Sequence, residues 1–96
     1  MYVGILEADV LLGAVSSLKQ KRAVLRPVLA RLRRLEVSVA EAGDTDLLRR
    51  AQIGVAVVSG TAAHVGEVLD TCERQLAGEP ELELLSVHRR WVGPED

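Results

Sequence analysis

Hydrophobic and polar residues alternate along residues 2–12, YVGILEADVLL, with Leu6, Ala8 and Val10 on one face and Glu7 and Asp9 on the other. A period of two marks a strand with one buried face. From Leu18 the period lengthens. At about 100° per residue, Leu18, Leu25, Val28, Leu29 and Leu32 form one apolar stripe, with Val24 and Leu35 at its edge. Ser16 and Ser17 supply an N-cap, so a helix is expected through about Leu35. Alternation returns at 36–42, EVSVAEA, where Val37 and Val39 oppose Ser38 and Ala40, and a turn at Gly43-Asp44 follows.

Residues 51–59, AQIGVAVVS, predict a third strand led by Ile53, Val55 and Val57. Gly60 and Thr61 open a second helix through about Ala77, with Val65, Leu69, Cys72 and Leu76 spaced for one buried face. Gly78 then Pro80 is the expected order at a helix end. ELELLSVHRRW predicts a fourth strand, and Gly93-Pro94-Glu95-Asp96 a frayed tail. The order β-α-β-β-α-β is the ferredoxin-like plan: a four-stranded antiparallel sheet with two helices on one face. The other face is expected to stay open and to include Glu7, Asp9, Ser38, Gln52 and Glu83. Pro27 interrupts the first helix, where it removes a hydrogen bond at a cost of about 3 kcal/mol and predicts a kink.

The 96 residues fit a single domain, 1–96, and 48% hydrophobic with 27% charged residues is the balance of a globular protein. The core must be aliphatic, because Phe is absent and Tyr2 and Trp91 are the only aromatics. One cysteine, Cys72, excludes an internal disulfide and a Cys-pair metal site, and its apolar neighbours predict a buried thiol. No apolar run has the length of a membrane span and no export signal is apparent, so a cytoplasmic location is expected.

Charge changes the picture more than composition does. The chain carries a net charge of −2, yet residues 17–34, SLKQKRAVLRPVLARLRR, hold seven of its twelve Lys and Arg residues and no acid. Lys19, Arg22, Arg26 and Arg33 fall in one narrow sector, a ladder of cations about 20 Å long at 1.5 Å per residue. Lys21, Arg31 and Arg34 point elsewhere. Three readings compete. The cations form a solvated face or pair with Glu67, Asp70 or Glu73 of the second helix; they face a phosphate backbone; or they lie on a membrane surface, which the lack of accompanying aromatics disfavours.

The segments SLKQKR at 17–22, VSVAE at 37–41, RAQIGVAVVS at 50–59, HVGEVLDTCERQL and PELELLSVHRRW resemble, in order, the YlxP-like family of short bacterial proteins of unknown function. The resemblance implies a ferredoxin-like fold. It also implies genes set among those for translation initiation and ribosome-binding factor A, and so a ribosome-linked role. Two positions depart from the family pattern. Gln20 replaces the usual Glu, and Leu48-Arg49 stands where an aromatic and Gln are usual.

Other chemistries find little support. His64 and His88 have no partner at metal-ligand spacing, so no metal and no cofactor are expected. Glu7, Asp9 and Glu41 are considered as sharing the open face, for a cation or acid–base work. Beyond Tyr2 at the start of the first strand, the central strands carry no aromatics for base stacking, no Asn exists for an acylphosphatase-like site, and no Gly-rich phosphate loop appears. A non-enzyme is expected. It would bind ribosomal RNA or a ribosomal subunit through Lys19, Lys21, Arg22, Arg26 and Arg33. The alternative is a homodimeric protein-interaction module. Leu47 and Leu48, apolar in a polar connection, mark the expected self-association surface, with Arg49 at its rim.

Overall fold

The computed structural model describes residues 1–95, so the part of the expected tail at Asp96 lies outside the described residues. Six elements follow in the expected order: β1 (Tyr2–Leu12), α1 (Leu18–Arg33), β2 (Ser38–Ala42), β3 (Arg50–Ser59), α2 (Ala62–Ala77) and β4 (Leu82–Val92). The strands form one antiparallel sheet in the order β2-β3-β1-β4, the ferredoxin-like arrangement.

Alternation along β1 and β3 explains the core. Leu6, Ala8 and Val10 face the helices beside Ala51, Ile53, Val55 and Val57, and meet Leu25, Val28 and Leu32 of α1 and Val65, Leu69, Cys72 and Leu76 of α2. The helix stripes and the strand pattern were written for the same interior. Gly4 is required by that closeness, because a Cβ there would collide with Val65 Cγ1.

The elements end as local chemistry dictates. Ser17 caps α1 by accepting from the Gln20 N–H at 3.1 Å, while Gln20 Oε1 accepts from the Ser16 N–H at 2.8 Å. Gln20 thus works much as the third residue of a capping box does, but it reaches the N–H of Ser16, one residue before the cap. α1 runs unbroken across Pro27 and ends two residues earlier than the expected Leu35. Glu36 then turns the chain at φ 61°, a left-handed conformation that favours glycine, so β2 starts at Ser38 rather than at residue 36. Gly43, at φ 70°, makes the turn after β2.

The open face is read from strand register. Ser38, Ala56, Ile5 and Arg90 form one row across the sheet; Ala40, Gly54, Glu7 and His88 form the next; Ala42, Gln52, Asp9 and Ser86 the third. β4 carries an irregularity: Asp9 pairs with Ser86 but Val10 with Leu84, leaving Leu85 as an extra residue.

Candidate nucleic-acid interface

α1 sorts its cations into three environments. On one flank, Arg31 donates two hydrogen bonds to Glu79, at 2.9 and 2.6 Å, and these hold its guanidinium above the ordinary arginine value against desolvation. In the centre of the buried stripe lies Lys21. On the other flank stand Lys19, Arg22, Arg26 and Arg33, all exposed. Among the described residues none of these four forms an ion pair. Arg33 Nη2 touches the Val39 carbonyl of β2 at 3.5 Å, which places this flank beside the β2 edge of the sheet. Arg31 reaches the segment before β4 instead. The ladder therefore faces away from α2.

Pairing with Glu67, Asp70 or Glu73 does not occur. Asp70 and Glu73 are taken by Arg89 of β4, at 2.8 and 3.0 Å. Burial works against the charge of Arg89, but hydrogen bonds to these two carboxylates outweigh it and raise its pKa. The acidic face of α2 is thus directed at the sheet edge rather than at α1.

Lys21 corrects the expectation that it assists the ladder in binding. It is 1% exposed, its ammonium lies 2.7 Å from Glu41 Oε2, and it donates to the carbonyl oxygens of Thr45 and Leu47. No phosphate can reach it there. Glu41 Oε2 makes no hydrogen bond of good geometry, so the Lys21 charge is what compensates its burial. Glu41 is corrected with it: its side chain meets α1 on the covered face and does not join Glu7 and Asp9 on the open one. A signal for Lys21 existed in the sequence. At about 100° per residue it falls between Val28 and Leu32, in the middle of the apolar stripe.

The connection 43–49 is held at its middle and its end. Lys21 grips the middle through the Thr45 and Leu47 carbonyls, and Arg49 Nε donates to the carbonyls of Leu12 and Gly13 at 3.3 and 3.1 Å. Asp44 Oδ1 accepts from the Asp46 N–H at 3.0 Å, closing a turn in the first half. Leu47 is 49% exposed, as expected, whereas Leu48 packs partly against the core. The two leucines do not form one exposed pair, and Arg49 is an anchor of the connection.

His64, in the first turn of α2, and His88, opposite Glu7, are both exposed. Among the described residues no group of three His, Cys, Asp or Glu could hold a metal. A cleft of about 280 Å³ opens beside Asp9, Asp44, Arg50 and Gln52. Cys72 is buried, and burial raises its thiol pKa, the nearby Arg89 charge opposing only in part. No helix is long and apolar enough to cross a membrane, among the described residues.

Comparison with known proteins agrees with the fold. Residues 3–89 match the family model described as Protein of unknown function (DUF503). The chain is 30% identical over 90 residues to the Uncharacterized protein YlxP of Bacillus subtilis (strain 168), covering 93% of this chain and 98% of that protein. Among solved structures it is similar to the de novo designed protein Foldit4, at TM-score 0.57 and 10% identity over 97% of this chain and 98% of that one. A second designed protein, LFR1 1 with ferredoxin fold, gives TM-score 0.54 and 11% identity over 98% and 90%. These structural likenesses concern the fold alone.

Proposed function

The chain belongs to the DUF503 family, whose description assigns no activity, and from its own geometry we propose that it is a non-enzymatic accessory protein binding ribosomal RNA or a ribosomal particle. The observation that carries the reading is the exposed ladder Lys19-Arg22-Arg26-Arg33, free of ion pairs among the described residues. The cations whose charges the fold needs, Lys21, Arg31 and Arg89, are each held by a carboxylate. The ladder cations are held by none among the described residues, which leaves their field directed outward. The gene neighbourhood that the YlxP-like resemblance implies points the same way.

Helix α1 would lie along phosphates with the β2 edge beside it. Long basic side chains at helical spacing meet a backbone without reading bases, so recognition rests on shape and charge. The open sheet face adds no stacking platform: its central rows carry Gly54, Ala56, Ile5 and Glu7.

The test is the salt dependence of binding to ribosomal RNA. Log affinity should fall linearly with log salt, and each ladder arginine replaced should lower the slope by about one unit. The Arg22→Ala/Arg26→Ala protein is therefore expected to show weaker binding and a shallower slope, with its fold intact by circular dichroism. An unchanged slope would remove α1 from the interface.

A further inference from the structure

We propose that the outer edge of β4 is the self-association surface of this chain, pairing antiparallel with β4 of a second copy about a two-fold axis at His88. The two outer strands of the sheet differ. β2 is five residues long, whereas β4 runs eleven residues, Leu82–Val92, with no proline. A long outer strand presents backbone donors and acceptors to any strand that can align with it. β4 also carries two of the large hydrophobic side chains left in solvent, Leu85 at 43% and Trp91 at 45% exposure.

Their spacing selects the partner and the register. Leu85 and Trp91 stand three residues either side of His88. An antiparallel two-fold pairing centred on His88 therefore sets Trp91 of each copy opposite Leu85 of the other, at both ends of the contact. Between them Val87 faces Arg89, and Ser86 faces Arg90. Arg89 brings no unpaired charge, since Asp70 and Glu73 already hold it.

Neighbouring registers fail on the same residues. Centring on Arg90 places two guanidinium groups directly opposite, which destabilises a sheet pair, and centring on Arg89 sets Leu85 against Gly93, past the end of β4. Centring on Val87 sets Trp91 against Glu83. The extra residue at Leu85 ends the regular stretch at the position that receives Trp91. An isologous contact of this kind closes on itself and stops at a dimer. The result is one eight-stranded sheet with a β2 edge, and an α1 ladder, at each outer end. The pairing needs no RNA and stands independently of the reading above.

Two measurements test it on the full chain. Trp91 is the only tryptophan, so its emission should shift to the blue as concentration rises, while sedimentation equilibrium shows the mass doubling. Trp91→Lys should stay monomeric with unchanged circular dichroism, and Leu47→Asp should still dimerise. Directly opposed residues in an antiparallel pair have Cβ atoms about 4.5–5.5 Å apart, close to disulfide reach. His88→Cys should therefore oxidise to a linked dimer, with no background from the buried Cys72, and Leu47→Cys should not. A wild-type chain monomeric at its highest soluble concentration would overturn the proposal. So would a Trp91→Lys dimer, or a dimeric His88→Cys protein that gives no link.

Discussion

Lys19 and Lys21 lie two residues apart on α1, yet Lys19 stands in solvent while Lys21 is 1% exposed and holds Glu41 and two carbonyl oxygens. The same side chain serves two purposes according to where helical rotation sets it. At about 100° per residue, two positions differ by about 200°, which carries a residue from the open flank into the apolar stripe. A basic helix is thus not one surface. Part of its charge is structural, closing the fold over the 43–49 connection, and part is free to meet a partner.

The largest expected effect probes that division. Lys21→Ala removes the partner of a buried carboxylate and the donor to Thr45 and Leu47, at a cost of about 3–5 kcal/mol read from the urea midpoint. Lys19→Ala should stay within about 0.5 kcal/mol of wild type. Equal effects would erase the distinction between the two flanks.

The two faces of the sheet give the next contrast. Gly4→Ala forces a methyl group into Val65 and Leu69 on the covered face and should cost about 1–3 kcal/mol by overpacking. On the open face a Cβ at Gly54 meets nothing closer than 3.9 Å. Gly54→Ala should therefore be neutral or stabilise by up to about 1 kcal/mol, since glycine weakens a strand. Chemical denaturation of both variants decides it, and a large loss at Gly54 would show that the open face is packed against something in solution.

Smaller still is Glu36→Gly. A non-glycine residue in the left-handed region costs about 1–2 kcal/mol, so glycine should recover roughly 0.5–1 kcal/mol of it. The smallest effect belongs to Cys72. Its folded pKa is raised by burial, so the folded state favours the protonated thiol. That stabilisation is complete below the unfolded thiol pKa and is lost as pH rises through the folded one. The urea midpoint of wild type should fall across alkaline pH more steeply than that of Cys72→Ala.

Where hydrophobic period decided a residue's environment, the sequence was legible. Val65, Leu69, Cys72 and Leu76 are spaced for one face and all are buried. The strand alternations of β1 and β3 place the core as expected, and register confirms Glu7, Asp9, Ser38, Gln52 and Glu83 on the open face. Tertiary pairing was harder to see. Glu41 continues the Val37-Val39 alternation onto the covered face, but that Lys21, twenty residues away in sequence, meets it there is stated by no local pattern. Arg89 competing for Asp70 and Glu73 depends on β4 returning beside α2, which no local pattern states. The early end of α1 reflects the left-handed turn at Glu36, a position where composition suggested no break. Of the five cations first placed on the binding surface, the fold leaves Lys19, Arg22, Arg26 and Arg33 exposed and removes Lys21.

The central claim, that the open flank of α1 meets a ribosomal particle, is tested most directly by co-sedimentation of the chain with purified ribosomal subunits at low and moderate salt. Wild type should associate with one subunit and dissociate as salt rises. A protein with Lys19, Arg22, Arg26 and Arg33 all reversed to Glu, folded by circular dichroism, should remain in the supernatant at both salts. Association that survives moderate salt, or that persists in the reversed protein, would contradict a phosphate-binding ladder, as would wild type that never sediments with either subunit.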